Sequence, residues 1–231
     1  MKVRIRFSKV GRVRWTSHRD VARMWERALR RARMPLAYTE GFSPRPRLSF
    51  GLALPTGCES RAEYLDVTLR AEVEAAGLPD TLSPLLPEGV DVAAAAALPP
   101  GTGSLQEEVT SCRWEIDVPH TGWDRLCSLV AEVEKATELP VTRERKGRSV
   151  TDDLRPSVLR LCPAGPRGRG SGLVVELATR PRGVRPVELA QVMGVEFGAA
   201  CRTHQWIERD GSRWEPLPTP ATPAGVLERA S

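Results

Sequence analysis

The chain has 231 residues, of which 41% are hydrophobic and 27% are charged. This length accommodates one large domain or two small ones, and the composition excludes a globally disordered chain. No uncharged apolar run approaches the ~20 residues of a membrane span, and the first residues lack the apolar core of a signal peptide. The five cysteines are scattered, so we expect no zinc or iron–sulfur site here and a reducing, cytoplasmic location.

Positive charge is concentrated at the start of the chain. Residues 1–50 contain 14 lysines and arginines against three acidic residues, whereas residues 51–231 contain 20 basic and 26 acidic residues. This segregation is expected of a protein that meets a phosphate-rich or acidic partner with one face. The alternative interpretation is a general compositional bias toward arginine.

The first half of the sequence predicts the element order β-α-β-β-α-β. Lys2–Phe7 alternates like a half-buried strand. Ser17 and Asp20 have the spacing of a capping box, which starts a helix that ends before Pro35. Arginines recur every four residues on one face of this helix: Arg19, Arg23, Arg27 and Arg31. The remaining elements are extended segments at 48–54, 63–69 and 90–96 and a weaker helix at 72–86.

The second half repeats this order, with a strand at 112–118, a helix at 123–137, extended segments at 140–145 and 158–162, a strand at 173–178, a short helix at 187–193 and a last strand at 203–207. The sequence therefore predicts an α+β protein of two tandem ferredoxin-like (βαββαβ) halves with a basic N-terminal face. The glycine-rich segment 164–172 is predicted to be a mobile hairpin loop, and 13–15 an extension of the first strand. The predicted divisions are an N-terminal half at 1–98, a linker at 99–110, a C-terminal half at 111–214 and a disordered tail at 215–231.

Two blocks near the N-terminus carry the densest chemistry, residues 14–20 (R-W-T-S-H-R-D) and 41–50 (G-F-S-P-R-P-R-L-S-F). Guanidinium groups bind phosphate oxygens in pairs, and aromatic rings among them offer bases a stacking surface. The alternative is that Trp15, Phe42 and Phe50 are core residues and that the arginines only solvate a face. The candidate phosphate-binding residues are Arg14, Arg19, Arg23, Arg27, Arg45 and Arg47.

His18 is the weak candidate for a catalytic residue. It lies in the first helical turn, where the helix dipole favours the neutral imidazole that a general base needs. It could activate a ribose 2′-hydroxyl in metal-independent RNA cleavage. The interpretation we favour is that His18 is largely buried and holds the loop 41–50 by a hydrogen bond to a backbone carbonyl, Ser43 or Ser49. No metal-binding motif occurs in the sequence, so we expect no metal site.

The residues from Arg4 through Asp66 resemble the radical-SAM-linked family of bacterial proteins, and the D-L-R-P segment at 153–156 is also similar to it. Members are separate chains or the C-terminal part of a radical SAM protein. Arg19 stands where the family usually has an aliphatic residue. The residues that fall on motif positions are Ser17, His18, Asp20, Gly41, Phe42, Pro44, Pro46, Ser49, Phe50 and Glu63.

The resemblance brings no activity, but it implies a companion protein that carries SAM and an iron–sulfur cluster. We therefore expect an accessory RNA- or substrate-binding protein that works with a radical SAM enzyme and binds no cofactor itself. One alternative is a metal-independent endoribonuclease that uses His18 as a general base. The other is a protein–protein adaptor for an acidic partner. None of the three readings involves a membrane.

Overall fold

The structure, a computed structural model, describes residues 1–145 and 147–217. Its strands, in chain order, are β1 (Lys2–Lys9), β2 (Leu48–Phe50), β3 (Glu59–Thr68), β4 (Val92–Ala97), β5 (Ser111–Pro119), β6 (Pro140–Arg145), β7 (Arg148–Asp153), β8 (Val158–Arg167), β9 (Gly170–Ala178), β10 (Ala200–Arg209) and β11 (Ser212–Trp214). Its α-helices are α1 (His18–Arg31), α2 (Leu78–Leu82), α3 (Leu105–Glu108), α4 (Trp123–Lys135) and α5 (Pro186–Met193).

One mixed sheet joins the two halves of the sequence. The order along it is β4-β1-β3-β10-β5-β9-β8, with β2 paired to β3 and β11 paired to β10. The halves meet where β3 and β10 run parallel, with Glu59 opposite Cys201 and Ser60 opposite Arg202. The other pairs in this sheet are antiparallel. The predicted α+β class is confirmed, and this large sheet dominates the structure.

The first helix forms because its N-terminus is capped and one of its faces is apolar. The backbone N–H of Asp20 donates to the Ser17 hydroxyl, which in turn donates to the Asp20 carboxylate at 2.7 Å. Val21, Trp25 and Leu29 are buried along the inner face, and the Trp25 ring meets the Phe7 ring of β1 edge to face. This packing orders α1 against the sheet and leaves its outer face to solvent.

Two hydrophobic cores lie on this sheet, and β3 contributes to both, with Leu65 and Val67 in the first and Ala62 and Tyr64 in the second. The first contains α1, α2 and the apolar sides of β1 and β3. The second contains α4, α5 and the apolar sides of β5 and β9. The predicted linker at 99–110 contains α3, and its Leu105 and Val109 are buried in the second core. This segment therefore contributes to packing as well as connecting the halves.

Two local predictions are wrong. Residues 13–15 are not extended, because Gly11–Trp15 forms a 3-10 helix that the Thr16 N–H closes by donating to the Val13 carbonyl. The segment 164–172 does form the predicted hairpin, but it is not a nine-residue loop, because β8 and β9 continue pairing as far as Arg167 and Gly170. A register shift between Pro163 and Pro166 absorbs the irregular backbone there.

The region 215–217, at the start of the predicted tail, contacts the sheet. The carbonyl oxygen of Pro216 accepts a hydrogen bond from buried Arg4 at 2.7 Å, and Glu215 pairs with Arg6 at the same distance. Leu217 packs against the second core. Residues 218–231, the rest of the predicted tail, lie outside the described residues.

Candidate functional site

The outer face of α1 carries exposed arginines, as the four-residue spacing predicts. Arg23 lies 3.3 Å from the Asp20 carboxylate, and that pair is itself exposed. Among residues 1–145 and 147–217, no carboxylate lies within 4.0 Å of Arg19, Arg27 or Arg31. We call this surface the arginine face and define it by Arg19, Arg23, Arg27 and Arg31.

A second exposed cationic segment is the motif loop, which we define as residues 41–50. Arg45 and Arg47 are exposed, and so is Phe42, whose ring has no contact that removes it from solvent. Pro46 is buried and forms an isolated bridge with Tyr38, which holds the base of the loop. Gly41 has a φ of 119°, a left-handed value that favours glycine at this motif position.

Arg14 and Trp15 behave differently from the other candidates. Arg14 is half-buried and pairs with Glu59 at 3.2 Å, so part of its charge is already matched. Trp15 is 64% exposed, but its ring lies against Gly57. A Cβ at Gly57 would lie 2.8 Å from that ring, and the φ of Gly57 is 89°. The glycine therefore makes the close approach of Trp15 to the segment 55–58 possible.

His18 is exposed, and the prediction that it is a buried, hydrogen-bonded residue is wrong. Its ring meets the Phe50 ring edge to face, with centroids 5.1 Å apart. Ser43 and Ser49 are also exposed, and among the described residues no hydrogen bond to the His18 imidazole is present. His18 is exposed because it is the first residue of α1 and lies on the side of the first helical turn that faces solvent. His18 thus joins the arginine face to the end of the motif loop.

Below His18 lies a small cleft that includes the motif residues Phe50 and Glu63. Lys9 also lines it and is 4% exposed; its ammonium group donates to the Thr16 carbonyl at 2.9 Å and to the Arg14 carbonyl at 3.3 Å. Burial lowers the pKa of Lys9, and the nearby Glu63 carboxylate opposes that shift. The structure therefore brings His18, Phe50 and Glu63 together and adds Lys9, which sequence analysis did not single out.

Glu63 also ties the two halves of the molecule together. The Arg202 guanidinium on β10 donates to Oε1 of Glu63 through Nη2 at 2.6 Å and Nε at 3.1 Å, and Nη2 also donates to the Leu52 carbonyl at 2.9 Å. Arg202 is 2% exposed. Burial opposes its charge, yet the Glu63 carboxylate holds the pKa of Arg202 above its ordinary value. The pair joins residues 139 positions apart, which no local sequence pattern indicates.

Beside Arg202 a larger cavity, with a volume of about 620 Å³, opens between the halves. We call it the junction cavity. From the first half it is lined by residues between Leu52 and Cys58, and from the second by Cys112, Trp114 and the start of α5. Burial raises the pKa of the Cys112 thiol to about 11 and also raises that of Cys58. Both thiols are therefore neutral near pH 7.

The described residues were also compared with the requirements of a metal site and of a membrane-spanning helix. Within the described residues, no group of three or more His, Cys, Asp and Glu side chains is arranged to hold a metal ion. In the same part of the chain, no helix has the length and apolarity that crossing a bilayer would require.

Asp153 and Arg155 of the D-L-R-P segment make structural contacts: Asp153 accepts from the Leu139 and Arg155 backbone N–H groups, and Arg155 donates to the Ala136 and Val158 carbonyls.

The fold and site define an α+β protein with an arginine-rich outer helix and a cavity at the junction of its halves. Residues 2–186 match the family described as "Uncharacterized protein conserved in bacteria (DUF2344)", and the chain belongs to that family. The fold is similar to that of a chain in the crystal structure of a Cbf5–Nop10–Gar1 complex, with a TM-score of 0.52 and 11% identity. The match covers 88% of this chain and 48% of the other, so this chain spans about half that length. No curated protein matches the chain.

Proposed function

We propose that this protein is an accessory RNA- or substrate-binding protein that works with a radical SAM enzyme in the cytoplasm. The observation that carries the RNA part is the arginine face, whose four guanidinium groups are exposed together with Arg45 and Arg47 of the motif loop. Exposed cations at helical spacing attract a polyanion, and the exposed Trp15 and Phe42 rings offer bases a stacking surface.

In this proposal the chain consists of two tandem ferredoxin-like halves. The strand orders support it: β4-β1-β3 with β2 on β3 in the first half, and β10-β5-β9-β8 in the second. Each order corresponds to that of a split β-α-β unit when the hairpin β6–β7 is treated as an insertion. Helices then cover one side of each half, which leaves loops and outer helix faces for binding.

The partner and cofactors follow from the family resemblance. We propose that SAM and the iron–sulfur cluster are bound by a companion protein and that this chain supplies binding surface. The test is affinity purification of the tagged chain from cells that express it, with the captured protein examined for iron–sulfur absorbance. Capture of a protein without a cluster contradicts this part of the proposal.

RNA binding is tested by the salt dependence of affinity for a single-stranded RNA. If four to six phosphates are contacted, log K falls with log salt with a slope of about −3 to −4. Arg45→Ala and Arg47→Ala each flatten the slope by ~0.7, whereas Arg125→Ala on α4, the matched control, leaves it unchanged. Binding that ignores salt contradicts the proposal, and salt-sensitive capture of an acidic protein without RNA favours the adaptor.

The second candidate function is the metal-independent endoribonuclease, which the exposure of His18 favours. An exposed imidazole can reach a ribose hydroxyl, whereas a buried one cannot. Wild type and His18→Ala are incubated with structured and single-stranded RNA in EDTA, and the products are resolved on a gel. Cleavage by wild type that is absent in the folded variant establishes the enzyme, and equal products from both exclude His18 as the base.

A further inference from the structure

We propose that another cavity, on the side of the sheet opposite α4, binds a phosphate group. It has a volume of about 630 Å³ and is lined by Arg113, Arg160, Cys162, Val174, Glu176, Trp206 and Arg213. We call it the outer cavity. Its lining shares no residue with the arginine face or the motif loop, so it is separate from the surface that carries the proposed function.

The position of the outer cavity follows from the alternation of side chains along the strands. Trp114 of β5 and Val175 of β9 are buried in the second core, together with Leu126 of α4. Successive side chains of a strand point to opposite sides of a sheet. Arg113 and Glu176, which follow or precede these core residues directly, therefore point away from α4.

Strand pairing brings three arginines to a single carboxylate in this cavity. Glu176 of β9 lies opposite Arg113 of β5 on one side and opposite Arg160 of β8 on the other. Its carboxylate nevertheless pairs with a third guanidinium, that of Arg213 on β11, at 2.7 Å. It also accepts from the Ser111 hydroxyl at 2.6 Å. The charge of Glu176 is therefore matched by Arg213 and not by the two arginines on the neighbouring strands.

Two guanidinium groups of the outer cavity are consequently left to meet a ligand. In the part of the chain that the structure describes, no carboxylate lies within 4.0 Å of Arg113 or Arg160. Arg160 is exposed and Arg113 is half-buried. Arg213 is held by Glu176 and by the Trp206 ring, whose centroid lies 4.3 Å from the guanidinium carbon. The lining thus carries three positive charges and one negative charge, an excess that attracts an anion.

The number of these donors favours phosphate over a carboxylate ligand. Guanidinium groups bind phosphate oxygens through paired hydrogen bonds, and a phosphate monoester carries about −1.5 to −2 charges at pH 7. That charge matches two guanidinium groups, whereas one is enough for a carboxylate, as in the pair of Glu176 with Arg213. Cys162 and Val174 lie opposite each other on β8 and β9 and give the cavity an uncharged part, where the rest of the ligand has room.

The phosphate has two sources, an RNA strand or a free phosphorylated molecule. The first source rests on the proposed function and would extend the RNA contact from the arginine face to the second half. The second source does not rest on it, and the cavity volume is within the range of small-molecule sites, roughly 300–1,000 Å³. Both sources require the same two arginines, so one pair of substitutions tests them together.

The probes are inorganic pyrophosphate and a single-stranded RNA, each added to the full chain. By isothermal titration calorimetry we expect saturable binding of pyrophosphate to wild type. Arg113→Ala with Arg160→Ala should raise its Kd at least about tenfold, because hydrogen bonds between charged groups are lost. Because Arg113 is half-buried, the single variant Arg160→Ala, at an exposed position, provides a test that does not disturb the fold.

The matched control is Arg125→Ala with Arg169→Ala, which removes the same charge from exposed positions on α4 and between β8 and β9. It should leave the Kd of pyrophosphate unchanged. The same variants are compared in the salt dependence of RNA binding. If RNA phosphates occupy the outer cavity, Arg113→Ala with Arg160→Ala flattens the slope by about 1.4, the sum of two contacts at ~0.7 each.

The outcomes separate this site from the proposed function. A flatter RNA slope in the Arg113 and Arg160 variant assigns the site to phosphates of the strand. Weaker pyrophosphate binding with an unchanged RNA slope assigns it to a free phosphorylated molecule. If RNA does not bind wild type, the proposed function fails and pyrophosphate alone decides. The outer cavity is not a phosphate site if these substitutions change neither measurement or if the control variant loses as much binding.

Discussion

Helix α1 follows β1 and helix α4 follows β5, and both bury an apolar stripe, yet their outer faces differ. The inner stripe of α1 is Val21, Trp25, Ala28 and Leu29, and that of α4 is Leu126, Leu129, Val130 and Val133. The outer face of α4 mixes Asp124, Arg125, Glu132, Glu134 and Lys135, whereas α1 presents four arginines at one spacing. Packing against the sheet constrains only the inner residues, so the formation of the core does not account for the difference in outer charge.

The largest expected effect comes from breaking the contact that joins the halves. Glu63→Ala leaves the buried Arg202 guanidinium without its carboxylate, and we expect a loss of about 3–5 kcal/mol in the free energy of unfolding. Glu132→Ala removes the exposed pair with Arg125 in α4 and should change stability by less than ~1 kcal/mol. Chemical denaturation of both variants measures this contrast. Equal losses would mean that Glu63 does not stabilise the junction.

Reversing charge on the arginine face tests the comparison of the two helices directly. Arg19→Glu with Arg27→Glu should weaken RNA binding and flatten the salt slope by about 1.4, the sum of two contacts at ~0.7 each. The matched variant Arg125→Glu with Lys135→Glu on α4 carries the same change in net charge. If both double variants lose affinity equally, net charge and not the position of the arginines governs binding.

A smaller effect is expected at the start of α1. Ser17→Ala removes the hydroxyl that accepts from the Asp20 N–H, and loss of such a cap costs about 1 kcal/mol. Ser17→Asp should restore most of that stability because aspartate is also a good N-cap residue. Thermal denaturation of the two variants gives the difference. In α4 the N-cap residue is Gly122, which makes no side-chain hydrogen bond, so Gly122→Ala should cost less.

The smallest expected effect is on stability in His18→Ala. Because the imidazole is exposed and makes no hydrogen bond within the described residues, the change should stay within about 0.5 kcal/mol. The buried, loop-holding histidine that the sequence suggested would cost several degrees in melting temperature. Thermal unfolding of His18→Ala against wild type distinguishes the two, and a large drop would mean that the ring supports the motif loop.

The elements that could be predicted from the sequence are those with a local signature. The Ser17 cap, the apolar stripe of α1 and the alternation in β1 each specify their structure within a few residues. The parallel pairing of β3 with β10 and the Glu63–Arg202 pair could not be predicted, because they depend on how distant segments dock. The exposure of His18 was missed for a related reason: a single turn does not reveal which side of it faces the sheet.

Contacts between the two ends of the described chain also bear on how the protein folds during synthesis. The carbonyl that accepts from buried Arg4 belongs to Pro216, which lies 212 positions later in the chain. Arg202, the partner of Glu63, lies 139 positions after it. Contacts of such sequence separation slow folding, since long loops must close before they are gained. Arg4 can pair with Asp66 inside the first half, but Glu63 gains its guanidinium partner only after β10 has been translated. A late strand thus supplies the guanidinium partner of an early buried carboxylate.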